Sequence, residues 1–289
     1  MNYMHYEGTI FRPPSEADSL LVQVTVGCSW NKCTFCDMYS EKQFRVRNMD
    51  EIKADLVEGS RYRSQIRRIF LCDGDALVLK TPMLLEILET IRVLYPDLEA
   101  VRVYASAQDI LRKSHEELCQ LHEAGLEMVY IGLESGSDKV LTEVNKGITK
   151  QEMISAANAA TKAGLRLSVS IISGLGGQAD SREHILETAD ALNQMQPDYV
   201  GMLVLHAGND TDMFRKIAEG TFRLPSATQV LEEMKLLIEN LDLKHCYYTS
   251  AHASNYIDVR GRLPEDKDAM LRNIARLTEL VRKREGTPR

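Results

Sequence analysis

The chain has 289 residues, 44% of them hydrophobic and 27% charged, with a formal net charge of −7. This is the composition of a globular protein with ample material for a core, and it excludes a disordered or low-complexity chain. The acidic balance is the opposite of what bulk phosphate neutralisation needs, so bulk nucleic-acid binding is not expected.

No apolar run reaches the roughly 18 residues of a membrane span. The opening MNYMHYEGTI lacks the apolar stretch of a signal peptide. A cytoplasmic protein without membrane contact is the expectation. In that compartment the six cysteines (28, 33, 36, 72, 119 and 246) stay reduced, and a cluster of them points to metal binding or catalysis.

Strand-like runs fall at 19–26, 67–72, 98–105, 127–133, 165–173 and 198–206. They are short, rich in Val and Ile and mostly apolar on both faces, as strands buried in a parallel sheet are. Helical patterns separate them. Asn48 is a candidate cap for DEIKADLVEG, and Thr81 is read as the cap of TPMLLEILETIRVLY, with Pro82 in the first turn. Ser114 and Glu117 have the spacing of a capping box, and that helix ends at Gly125. Thr149 and Glu152 repeat the spacing, and Gly164 closes the helix they start. SREHILETADALNQM and SATQVLEEMKLLIENL follow the fifth and sixth strands, and a last helix is expected over 264–284. Such a strand–helix alternation fits a parallel α/β barrel or a doubly wound sheet.

The first strand runs into GCSWNKCTFC, which sets Cys28, Cys33 and Cys36 in a C-x4-C-x2-C pattern. Active sites collect at this end of parallel strands. Three thiolates are one short of a full shell for zinc or for a four-iron cluster. Either a fourth protein ligand lies elsewhere or the fourth position is open to a small molecule. From the residues alone both metals remain open.

The loop resembles the cluster loop of the radical S-adenosylmethionine (radical SAM) superfamily, in a version one residue longer than the commonest C-x3-C-x2-C. The resemblance implies a [4Fe–4S] cluster on Cys28, Cys33 and Cys36, its open iron chelated by S-adenosylmethionine (AdoMet). Phe35 takes the place of the aromatic residue that often precedes the third cysteine. Asp73, Gly74 and Asp75, after the second strand, stand where the family receives the AdoMet amino group. YIGLESGSDKVLTEVNKGIT is similar to the fourth-strand segment of relatives of the oxygen-independent coproporphyrinogen oxidases. There Glu134 and Ser135 take places beside the ribose and methionine, and Lys146 takes the place of a basic residue that reaches the carboxylate. Ser168 and Ser170, ahead of the glycine-rich SGLGGQ, occupy the polar positions of the fifth strand.

The resemblance implies an α/β fold, a partial (βα)6 TIM-like barrel with parallel strands. Its core is expected at 19–206, with 207–289 as the sixth helix and a C-terminal extension, all in a single domain over 1–289. It also implies an oxygen-sensitive enzyme. An electron from a flavodoxin- or ferredoxin-type donor leads to reductive cleavage of AdoMet, and the 5′-deoxyadenosyl radical abstracts hydrogen from a substrate. No cobalamin-binding segment and no Cys-rich tail flank the core, so a small-molecule substrate is expected. Modification of tRNA or a peptide is the alternative within the family, and a non-catalytic zinc-binding structural module is the alternative outside it. KHCYYTSAHASNYIDVRG (244–261) is dense in polar aromatic and His residues; Tyr247, Tyr248 and His252 are its candidates for catalysis.

Overall fold

The structure, a computed structural model, describes residues 4–255 and 257–285. Tyr256, within the polar run after the sixth strand, lies outside the described residues. The first elements are β1 (Leu20–Gln23), β2 (Thr25–Val26), β3 (Arg45–Val46), α1 (Met49–Ser60), β4 (Arg68–Cys72), α2 (Thr81–Leu94), β5 (Ala100–Tyr104), α3 (Ala107–Arg112), α4 (His115–Glu123) and β6 (Leu126–Glu134). Then come α5 (Asp138–Glu143), α6 (Lys150–Lys162), β7 (Arg166–Ser173), α7 (Ser181–Met195), β8 (Tyr199–Val204), α8 (Asp212–Ala218), α9 (Ala227–Asn240), β9 (Cys246–Thr249), β10 (Arg260–Leu263) and α10 (Lys267–Glu285). Helices alternate with mostly parallel strands, which is the expected α/β class.

Two compact units make up the chain. Of the described residues, the first holds 4–31, 38–131 and 155–167; the second holds 32–37, 132–154, 168–255 and 257–285.

In the first unit β1, β4, β5 and β6 pair in parallel in that order. Phe70, Leu71, Cys72 and Val103 are fully buried. The run at 19–26 is two strands rather than one, because Thr25 and Val26 pair antiparallel with Val46 and Arg45 of β3. Asn48 caps α1 in a full capping box with Glu51, and Ser114 caps α4 in one with Glu117. Thr81 is the first residue of α2 rather than its cap. Pro82 sits in the first turn, where an N–H would have no helical partner.

A buried carboxylate anchors the segment ahead of β1. Glu16, fully sealed from water, accepts hydrogen bonds from Arg102 Nη1 (2.8 Å), Ser19 Oγ (2.6 Å) and the Tyr130 hydroxyl. With its charge paired and both oxygens engaged, the carboxylate tolerates burial.

In the second unit β7, β8 and β9 are parallel, and β10 returns antiparallel along β9. Helix α9 packs between α7 and α10. Val200 and Met202 of β8 are buried. Among the described residues no helix is long and apolar enough to cross a membrane.

Candidate functional site

The first unit supplies the end of β4. Asp73 is fully buried, and its Oδ2 accepts from Lys42 Nζ (2.6 Å), Gly27 N (3.0 Å) and Gln23 Nε2 (3.2 Å). Its Oδ1 is also buried and has no hydrogen-bond partner among the described residues. A buried acceptor without a donor is uncommon and calls for a ligand or a water. Gly74 follows. A Cβ there would lie 2.5 Å from Tyr39 Cε2 and 2.9 Å from the Cys28 Cβ, so only glycine lets this backbone run so close to Cys28. Asp75 is engaged on both oxygens, Oδ1 by Ser106 N (3.1 Å) and Oδ2 by the Ser29 hydroxyl. Burial, and then the neighbouring Asp109, push its carboxyl up to about 8. Arg47, near the loop in sequence, is held in a buried ion pair with Asp55 at 2.6 Å.

The second unit supplies residues 32–37. Thr34 ties this segment down through Thr34 N to Val144 O (3.0 Å) and Met213 N to Thr34 O (2.9 Å). Phe35 is buried among Val140, Val144, Ile172, Leu175, Leu205 and Met213, and Cys33 and Cys36 pack against that cluster half-buried. Phe35 is therefore an apolar anchor between two of the thiols. All six cysteines are thiols, not disulfides. Among the described residues no three His, Cys, Asp or Glu side chains are grouped as ligands of a single metal ion. A four-iron cluster makes a different demand, since each thiolate binds its own iron.

Glu134 ends β6 with a left-handed backbone (φ 60°), and its Oε1 lies 3.1 Å from Lys146 Nζ. Ser135 is fully buried. Its Oγ meets His184 Nδ1 at 2.8 Å and accepts from Ser137 N (3.0 Å). His184 Nε2 lies 3.0 Å from the Ile172 carbonyl, so Nε2 carries the proton and Nδ1 accepts from Ser135. Burial drives this imidazole down to about 4. The structure thus commits Ser135 to an internal network.

Register places Ser168 beside Tyr199 and Ser170 beside Gly201, with Tyr247 and Thr249 continuing those rows on β9. By strand alternation all six share one face. At Gly201 a Cβ would meet only Tyr199 Cε1, at 3.8 Å, and Ser170 beside it is half-buried. Tyr248 points the other way; it is fully buried and donates to Met202 Sδ (2.9 Å). Tyr247 lies near the start of β9, whereas His252 lies beyond its end. His252 Nδ1 accepts from Ser254 N (3.1 Å) and lies 2.8 Å from Ser254 Oγ. Because a backbone N–H can only donate, the neutral ring carries its proton on Nε2.

Sequence reasoning did not single out Lys42, His184 or Glu233. Glu233 on α9 accepts from Ser173 Oγ (2.5 Å), Gly174 N (2.7 Å) and Ser181 Oγ (2.6 Å), and so ties the start of the SGLGGQ turn to the first residue of α7. These side chains come from distant elements, and no local spacing marks them.

The model of the Radical SAM superfamily matches residues 22–192, more than half of the chain. This chain belongs to the radical SAM superfamily. The cofactors of that family are a [4Fe–4S] cluster and AdoMet. An uncharacterized methyltransferase of Pyrococcus horikoshii is 27% identical over 182 residues, 62% of this chain and 38% of that protein. The radical SAM methyltransferase TsrM of Kitasatospora setae, solved with cobalamin and a [4Fe–4S] cluster, is 18% identical. It aligns with a TM-score of 0.56 over 70% of this chain and 39% of its own. Coproporphyrinogen III oxidase of Escherichia coli is 16% identical, with a TM-score of 0.56 over 76% of this chain and 51% of its own. This chain thus covers well under two thirds of each relative's length. The likeness to the two solved structures is one of fold.

The residues present fit the family's cofactors on two observations. The unpartnered Asp73 Oδ1 is a buried acceptor suited to an ammonium, and Gly74 keeps the β4 end clear of side chain beside Cys28.

Proposed function

We propose that this radical SAM enzyme abstracts hydrogen from a small organic substrate, with Cys28, Cys33 and Cys36 as the cluster ligands. A cluster held by these three thiolates would, once reduced, supply the electron for reductive cleavage of AdoMet, the source of the hydrogen-abstracting species. A flavodoxin- or ferredoxin-type protein supplies the electron.

The observation that carries the reading is the spare oxygen of Asp73. Lys42, Gln23 and Gly27 fix Oδ2, which leaves Oδ1 without a donor, a need that the AdoMet ammonium would meet. Lys146, steadied by Glu134, offers a point charge to the AdoMet carboxylate. Ser170, half-buried beside the side-chain-free Gly201, is a donor for the ribose. His252, with its proton on Nε2, offers a donor to the substrate.

The test is anaerobic reconstitution with iron and sulfide, followed by dithionite and AdoMet. A brown protein that releases 5′-deoxyadenosine, and loses both properties on Cys33→Ala, supports the reading. A reconstituted protein that stays colourless defeats it. A second reading, radical methyl transfer, is favoured by the name of the Pyrococcus relative. S-adenosylhomocysteine among the products, with methylated substrate, would select it.

A further inference from the structure

In the DGD stretch at 73–75 the two acids have different surroundings. Asp73 keeps one oxygen without a partner, but Asp75 does not. Its side chain is 1% exposed and is engaged by Ser106 N, by the Ser29 hydroxyl and by Asp109. Asp109 is itself fixed, by Ser106 Oγ at 2.5 Å and Arg112 Nη1 at 2.8 Å. Ser106 caps α3 by accepting from Asp109 N at 3.1 Å. Burial, and then the neighbouring Asp109, push the Asp75 carboxyl up. The result is a rigid chain, Arg112 to Asp109 to Asp75 to Ser29. It ends on a residue that is exposed in its own right and directly follows Cys28.

We infer that Asp75 and Asp109 are a positioning pair for the cluster-bearing loop: through the Ser29 hydroxyl they fix the backbone at Cys28, and Asp75 does not contact AdoMet. The inference rests on reading Cys28, Cys33 and Cys36 as cluster ligands. Its physical basis is that an exposed irregular loop fluctuates unless a side chain tethers it to something rigid. Partners beyond the ligands orient those ligands and set how firmly the metal is held. Asp73 is left as the acid with an oxygen to spare for an ammonium.

The experiment uses the full chain, reconstituted anaerobically, and follows iron release to an excess of ferrous chelator. Ser29→Ala and Asp75→Ala are expected to release iron about tenfold faster than wild type. Asp75→Asn gives up the bond from Ser106 N but, with its one oxygen toward Ser29 and its amide donor toward Asp109, keeps the tether and is expected to release iron at close to the wild-type rate. In Asp75→Asn the reduced cluster's electron paramagnetic resonance should still change at the AdoMet concentration that changes wild type. The melting temperature of cluster-free Ser29→Ala should match wild type, which separates tethering from folding. Wild-type release rates in both Ser29→Ala and Asp75→Ala overturn the inference. So does an Asp75→Asn protein that has lost its response to AdoMet, since that returns Asp75 to cofactor contact. If wild type takes up no cluster, the functional reading fails and carries this inference with it. A stable wild-type cluster with unaffected variants sinks the inference alone.

Discussion

Lys42 Nζ lies 2.6 Å from Asp73 Oδ2, and the two side chains are only 7% and 0% exposed. Lys42 also donates to the Thr9 carbonyl at 2.5 Å. One ammonium thus binds together the N-terminal segment, the stretch after the cysteine loop and the end of β4.

Removing one partner of such a pair strands a buried charge, a loss of about 3 kcal/mol. Lys42→Met is expected to lower the stability of the cluster-free protein by that amount in urea denaturation. Adding Asp73→Asn should recover most of it, because the stranded charge is then gone. A Lys42→Met protein as stable as wild type would show that the pair contributes nothing.

His184 makes stability depend on pH with a definite sign. Its ordinary value is 6.5, and burial lowers it to about 4 in the folded protein. Between those values the unfolded chain binds a proton that the folded chain refuses, so stability rises with pH. The contribution is complete above 6.5, falls as pH drops from 6.5 to 4 and levels off below, for a total of about 3 kcal/mol. The difference in urea midpoint between wild type and His184→Gln should shrink over that window as acid is added. A constant difference would rule out the imidazole as the source.

Two glycines of one segment should respond differently to alanine. At Gly136 a Cβ would overlap the Glu187 carbonyl, which is helix backbone and cannot step aside. At Gly132 it would overlap the Glu134 carboxyl, the mobile end of a side chain. Gly136→Ala is therefore expected to lose about 3 kcal/mol in thermal unfolding. Gly132→Ala should fold normally, but by displacing Glu134 from Lys146 it should weaken AdoMet binding about tenfold, measured by equilibrium dialysis.

Glu233 accepts three hydrogen bonds from the turn after β7. Glu233→Ala leaves all three donors without their acceptor and should lose about 3 kcal/mol, whereas Glu233→Gln should lose about 1 kcal/mol. Limited proteolysis at 173–181 reports the same event locally, with cleavage expected in the alanine variant alone. Equal protease resistance in both would show that the turn does not depend on this carboxylate.

Much of the fold could be read along the chain because its signals are local. Val and Ile runs mark the strands, the Ser114/Glu117 and Thr149/Glu152 pairs mark two helix starts that the structure reproduces, and Asn48 caps a third helix as read. Thr81 shows the limit of such reading: a hydroxyl before proline looks like a cap, but the helix begins on it. Short elements such as α3, α5 and α8 were not legible, since six or seven residues carry too little periodicity. At the site, the cysteine trio, Asp73 and Gly74 were visible as a pattern. Which acid of the DGD stretch has an oxygen to spare was not, because Ser29, Ser106 and Asp109 reach Asp75 from three other places in the sequence. Tyr247 and Tyr248 are neighbours in sequence, yet strand alternation sends them to opposite faces.

The last strand of the second unit carries a further consequence. β10 is four residues long, bears exposed Arg260 and Arg262, and is followed at once by Pro264, which has no amide hydrogen to offer. Brevity, positive charge and an absent donor each discourage another polypeptide from zipping onto that rim. Valine at both arginine positions would leave the interior untouched while turning the rim into a template for self-association.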